Sequence, residues 1–235
     1  MEGLLAHAGA HKLSRPELVH ILPPEPTATF KPISHAELVG KIIEGMAFRQ
    51  INVIRDEYAV SEDGMKLFGV LDLESGFDGA RYALVLRNAN DKSMRLALTV
   101  GYRVFVCDNM CFHGDFTPVL AKHFNLIDAI DVGLGRMQRN FEPMRKQVEG
   151  WRETQLTDDQ AKLIIYRGFV QGDLDVPKHL VRGVHDAYFN PGHPEFQPRT
   201  IWSLTNAFTS TLKTMDPVPQ FKATAKLGQF FTSLN

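Results

Sequence analysis

Only two cysteines, Cys107 and Cys111, occur in 235 residues, too few for a disulfide framework and in keeping with a reducing compartment. No apolar run approaches the roughly 18 residues that mark a membrane span, and the start lacks a basic stretch followed by an apolar signal core. Neither sign of charge is in excess: 26 Lys and Arg stand against 27 Asp and Glu, a net charge of −1. No global field therefore draws the chain towards nucleic acid or membrane, and any polyanion contact must come from a local patch. These absences lead to the expectation of a protein of the cytoplasm without a membrane partner.

Catalytic signatures are equally sparse. There is no G-x4-G-K-[ST] loop, and Gly133-x-Gly135 lacks the third glycine and the preceding strand of a dinucleotide fingerprint. Neither HExxH nor the paired motifs of the zinc deaminases occur, and Asp128 with Asp131 has no accompanying metal motif. Cys107, Cys111, His113 and His123 are zinc ligands by type, but C-x3-C has no second CxxC or HxxxH pair, so no metal is expected. No cofactor is expected either. A cysteine nucleophile with His113 or His123 as base, beside Asp108 and Asn109, stays open as an enzymatic reading; an Asx turn after a buried strand explains Asp108 and Asn109 as well.

What is present is a change of period along the chain. Residues 1–33 carry five of the thirteen prolines, each fixing φ and withholding a donor, and read as an extended arm. Ser34 and Glu37 form a capping box, after which Leu38, Val39, Ile42, Ile43 and Met46 make a helical stripe. From Gln50 the period becomes two, predicting strands over 51–59, 65–73, 80–87 and 93–107 with turns at 62–64 and 88–92. The later half reads as helical: Thr117-Pro118 opens one helix, Thr157 and Gln160 box another to about Phe169, one more begins near Pro177, and Thr200 caps one to about Met215. A short amphipathic tail follows over 216–235. The expected fold is α+β, an antiparallel β-meander in the first half packed with helices mostly from the second. Residues 34–215 read as a single domain.

Alternation across strands separates two faces of the third and fourth strands. One is uniformly apolar. The other carries Arg81, Arg87, Arg95, Arg103 and Phe105 among small residues, with Lys92 in the turn and Lys66 on the neighbouring strand. Arginine forks suit phosphate, and aromatics such as Phe105 or Phe112 could stack on bases, so this face reads as a single-strand nucleic-acid surface. It reads equally well as a solvated sheet face, or as arginines paired with Asp72 and Asp91 or covered by a helix. Two further readings stay beside it: a protein-interaction module with a host protein as partner, and the enzymatic one above.

The segments LRNANDKS (86–93) and GYRVFVCDNMCF (101–112), the pair Lys122-His123 and the stretch TIWSLTNAFT (200–209) resemble a family of phage- and plasmid-encoded proteins carrying a domain of unknown function. Cys107, Asp108, Asn109, Phe112 and His123 fall in its motif loop; Ala89 and Thr205 depart from its usual serine and tyrosine. The resemblance implies a mobile-element protein in a bacterial host cytoplasm, and by analogy a homo-oligomeric single-strand annealing protein of recombination or replication.

Overall fold

The computed structural model describes residues 10–104, 110–112, 119–121, 126–215 and 217–234. The strands are β1 (His11–Leu13), β2 (Val53–Val60), β3 (Lys66–Phe77), β4 (Ala80–Ala89), β5 (Leu96–Val104), β6 (Met110–Phe112) and β7 (Val119–Ala121). The helices are α1 (His35–Phe48), α2 (Leu126–Glu153), α3 (Asp158–Tyr166), α4 (Val181–Phe189), α5 (Ile201–Leu212) and α6 (Pro217–Thr232). The architecture is α+β, with the antiparallel sheet β1 to β5 in the first half and helices mostly in the second.

Two compact units make up the chain: residues 1–103 with 116–141, and residues 104–115 with 142–235. The sequence suggested one domain over 34–215 because no linker composition marks the division. The division falls inside α2, between Phe141 and Glu142, next to the helix-internal Pro143. Pro143 withholds a donor from the Arg139 carbonyl, yet the helix continues through it.

In the first unit β1 to β5 pair in sequence order. Val60 faces Leu67 across the β2–β3 hairpin, and Lys66, Phe68, Val70 and Asp72 face Ala89, Arg87, Val85 and Ala83 of β4. The proline-rich N-terminal stretch is not featureless: β1 pairs with β2 from His11 opposite Val60 to Leu13 opposite Tyr58, and Leu18 is fully buried in the short 3-10 helix Pro16–His20. Arg15 Nε donates to Asp56 Oδ2 at 2.7 Å and the Tyr58 hydroxyl donates to the same oxygen at 2.8 Å. Gly69 leaves room for that ring, since a Cβ there would stand 2.9 Å from Tyr58 Cδ1.

Helix α1 starts as expected, the Ser34 hydroxyl accepting from the Glu37 N–H. Leu38, Val39, Ile42 and Met46 are wholly buried, each stabilising by about 1.5–3 kcal/mol. Its C-terminal end is tied to α2: Arg49 Nη2 donates to the Asp131 carbonyl at 3.0 Å, and Gln138 Nε2 to the Arg49 carbonyl at 3.2 Å. Tyr82 of β4 stacks on Phe141, centroids 4.3 Å apart, and donates to its carbonyl at 2.9 Å. The helix expected to open at Thr117-Pro118 does not include Val119–Ala121. Those residues form β7, whose three positions pair with Leu96–Leu98 and occupy part of the outer edge of β5.

The second unit is helical around α5. Phe208 packs on Phe169, Phe230 and Phe231 at 5.6, 6.3 and 5.7 Å between centroids, and Trp151 meets Phe231 at 5.9 Å. The Thr157–Gln160 capping box is present at the start of α3, whose chain continues into a π-turn, Arg167–Gln171, ending on Gly172 with φ 86°. The C-terminal segment is α6, which buries Leu227, Phe230 and Phe231.

Candidate nucleic-acid interface

The strand face that carries the arginines is not the open surface that alternation suggested. Ala83, Val85, Ala89, Ala97 and Thr99 on it are all buried, and Arg103 is 4 % exposed. Arg103 Nε donates to Asp72 Oδ1 at 3.0 Å and its Nη2 to Glu57 Oε2 at 3.2 Å; Arg55 Nη2 meets Glu57 Oε1 at 2.7 Å. Ala83 stands opposite Asp72 on the strand between, and its small side chain leaves the guanidinium room to cross. Burial pushes the Asp72 carboxyl up from the usual carboxylate range against the pull of Arg103. Arg103 is thus a structural cation, which corrects the expectation that it holds phosphate. The alternative pairing with Asp72 is the one found.

The other cations are placed variously. Arg81 is half-buried at the start of β4, the opposite end of that strand from Arg87. Arg87 is half-buried and burial lowers its pKa, though a guanidinium stays charged at neutral pH. Lys92 is exposed in the β4–β5 turn at φ 67°, its Nζ 4.9 Å from the Phe30 ring centroid. Arg95 is exposed immediately before β5. Phe105, Cys107, Asp108, Asn109 and His123 lie outside the described residues, as does the side chain of Phe112 in β6.

The structure gathers a smaller group at the turn end of the sheet. Lys66 and Phe68 share a face of β3, and Arg87 stands directly opposite Phe68 on β4. All three are half-exposed where the face emerges from the buried patch of Val70, Val85 and Ala89. Lys66 Nζ is 3.3 Å from Asp91 Oδ2. Burial works to raise the Asp91 pKa, but hydrogen bonds from Ser93 and the Lys66 charge outweigh it and hold the carboxylate below its usual range. Lys66 was legible from the sequence. Phe68 was missed, although the period of two along β3 places it beside Lys66.

A buried polar network fixes this end. His35 and Asn88 are 0 % exposed. His35 Nε2 meets the Gly64 carbonyl at 2.9 Å, Asn88 Nδ2 lies 3.4 Å from His35 Nδ1, and Asn90 Nδ2 donates to the Ile33 carbonyl at 2.9 Å. The Asn90 N–H also donates to the Met65 carbonyl at 2.8 Å. The start of α1 and the two turns are therefore held together by groups that would be costly to leave unpaired. Asn88 and Asn90 of the RNAND motif are scaffold, and Lys66, Arg87, Lys92 and Arg95 project from it.

Among the described residues no group of three or more His, Cys, Asp and Glu could hold a metal, and no helix is long and apolar enough to cross a membrane. No family model matches the chain, and no curated protein or solved structure is significantly similar to it.

Proposed function

We propose that this chain is a non-enzymatic single-strand nucleic-acid-binding protein of a phage or related mobile element, acting through the turn end of its sheet. The observation that carries the reading is the half-exposed Phe68 with Lys66 beside it on one strand and Arg87 opposite it on the next. An aromatic ring between cations accepts a base on its face and phosphates on either side without choosing a sequence. Arg95 and Lys92 extend the footprint along the turn. Lys66 enters this role from an exposed ion pair with Asp91, and such pairs are worth little enough for a phosphate to displace the carboxylate.

The footprint is short, because Arg103 is committed to Asp72 and Glu57. The test is fluorescence anisotropy with a labelled single-stranded oligonucleotide at low ionic strength. Phe68→Ala should weaken binding by about 1–3 kcal/mol if a base stacks there. Wild-type protein that leaves the anisotropy unchanged at every concentration sinks the proposal. A host protein that is then retained from nuclease-treated lysate would transfer the role to a protein-interaction module.

A further inference from the structure

The first unit holds a cleft of about 460 Å³ towards the opposite end of β3 from Lys66, and the nucleic-acid reading does not use it. Gln50 and Asn52 between α1 and β2, Glu74 and Ser75 of β3, and Gln138 and Phe141 of α2 line it. Irregular backbone brings the first two pairs there. Leu73, Glu74 and Ser75 stand against Tyr82 alone, because the β3–β4 register slips between Asp72 opposite Ala83 and Gly76 opposite Arg81, and a bulge re-aims side chains. Helix α1 ends in a Schellman turn, the Gln50 N–H bonded to the Ala47 carbonyl and the Ile51 N–H to the Met46 carbonyl, both at 3.0 Å. The left-handed position of that turn ordinarily takes glycine. Here, at φ 59°, it holds a glutamine whose side chain bonds to no other described residue. Strain kept where glycine would relieve it points to a use for the side chain, and Gln50 lines the cleft.

The polar atoms left over set what the cleft can take. Asn52 Nδ2 donates to Glu74 Oε2 at 2.7 Å, and Gln138 Nε2 donates to the Arg49 carbonyl at 3.2 Å. Flipping either amide would set oxygen against oxygen, so both orientations are fixed. The Asn52 and Gln138 carbonyl oxygens therefore remain as acceptors with no partner among the described residues, as do Glu74 Oε1 and the Ser75 hydroxyl. Glu74 is the one charged residue in the described lining, and its side chain bonds only to a neutral amide. Arg49, whose carbonyl takes the Gln138 bond, spends its guanidinium on the Gly45 and Asp131 carbonyls. A carboxylate with no counter-ion among the described residues, surrounded by spare acceptors, calls for a cation that is also a hydrogen-bond donor.

A bare metal ion is a poor match, because hard cations gather several carboxylates and the described lining has one. The volume lies within the range of small-molecule sites, and Ile51 and Phe141, the latter fixed by its stacking on Tyr82, supply apolar surface. We infer that this cleft binds a small organic cation, its ammonium or amidinium group held by Glu74 with the oxygens of Gln50, Asn52 and Gln138 and its apolar body against Phe141.

The test is a titration of the full chain followed by amide chemical shifts, with benzylamine, benzamidine and neutral benzyl alcohol as probes. Either cation should move the resonances of Gln50, Asn52, Glu74 and Ser75 saturably, and whichever binds tighter identifies the group as ammonium or amidinium. Glu74→Gln keeps the shape of the side chain and should weaken the better probe about tenfold or more, as expected for loss of a charged hydrogen-bond acceptor. Glu62→Gln, at an exposed carboxylate in the β2–β3 turn, should leave it unchanged. Gln50→Gly should weaken the probe while raising the thermal midpoint, which separates loss of a ligand contact from loss of the fold. Absence of saturable shifts with both cations overturns the inference, as does benzyl alcohol binding as tightly as they do, or an affinity that Glu74→Gln does not alter.

Discussion

Replacing Arg103 by methionine leaves Asp72, 2 % exposed, facing a hydrocarbon chain where its guanidinium partner lay 3.0 Å away. Removing one member of a buried ion pair costs about 3–5 kcal/mol, because the other charge stays desolvated. Asp72→Asn should cost less, since Arg103 keeps Glu57 at 3.2 Å and a neutral amide needs no counter-charge. Arg103→Met combined with Asp72→Leu should recover most of the loss, because a hydrophobic replacement of a buried pair is often neutral or better. The Arg103→Met deficit should also shrink at acid pH. Asp72 is already pushed up by burial with Arg103 present, and without it the carboxyl is protonated more readily. Urea unfolding followed by far-UV circular dichroism measures all four proteins. Both tryptophans, Trp151 and Trp202, lie in the second unit, so fluorescence follows that unit alone and separates its transition from the first. A deficit for Arg103→Met below about 1 kcal/mol at neutral pH, or a double variant that loses the sum of both singles, would refute the buried-pair reasoning.

Three other outcomes are expected. Burial lowers the His35 pKa, so its folded state resists a proton that the unfolded chain accepts at about pH 6.5; stability should fall as pH drops below that value, and His35→Gln should flatten the dependence of the urea midpoint. Asp91→Asn removes the carboxylate that competes for Lys66 and should tighten oligonucleotide binding; equal affinities for wild type and Asp91→Asn in anisotropy would count against Lys66. Gln50 sits at φ 59° between α1 and β2, where glycine relieves roughly 1 kcal/mol of left-handed strain, so Gln50→Gly should raise the thermal midpoint and Gln50→Val lower it.

Much of the fold was legible because its cues are local. The Ser34 cap, the Thr157–Gln160 box and the period-two runs each depend on residues within a few positions, and they correspond to α1, α3 and β2 to β5. The misses are non-local. Val119–Ala121 follows a helix-start pattern, but the outer edge of β5 offers ladder hydrogen bonds that no local rule contains. The boundary between the units escaped notice because it lies inside a helix whose buried positions Ile130, Leu134, Met137, Met144, Val148 and Trp151 keep one helical rhythm across it.

The site was half legible for the same reason. Alternation assigned Arg87 and Arg103 to one face correctly, but it cannot say that Asp72 and Glu57 reach Arg103, or that this part of the face is withdrawn from water. Those facts depend on strand order and on what lies over the sheet. The LRNANDKS segment carries Arg87 and Lys92 of the expected surface, while its Asn88 and Asn90 are buried in hydrogen bonds that join two turns to α1. The proposed contacts therefore rest on their neighbours Lys66, Phe68, Arg87, Lys92 and Arg95.

The salt dependence of single-stranded oligonucleotide binding tests the central claim most directly. Four phosphates engaged by Lys66, Arg87, Lys92 and Arg95 give a slope of about −3 in log K against log salt, and Lys66→Ala or Arg95→Ala should each reduce it by about 0.7. Arg103, held by Asp72 and Glu57, should contribute nothing to it. Binding absent at low salt, or a slope that both substitutions leave unchanged, would contradict the assignment.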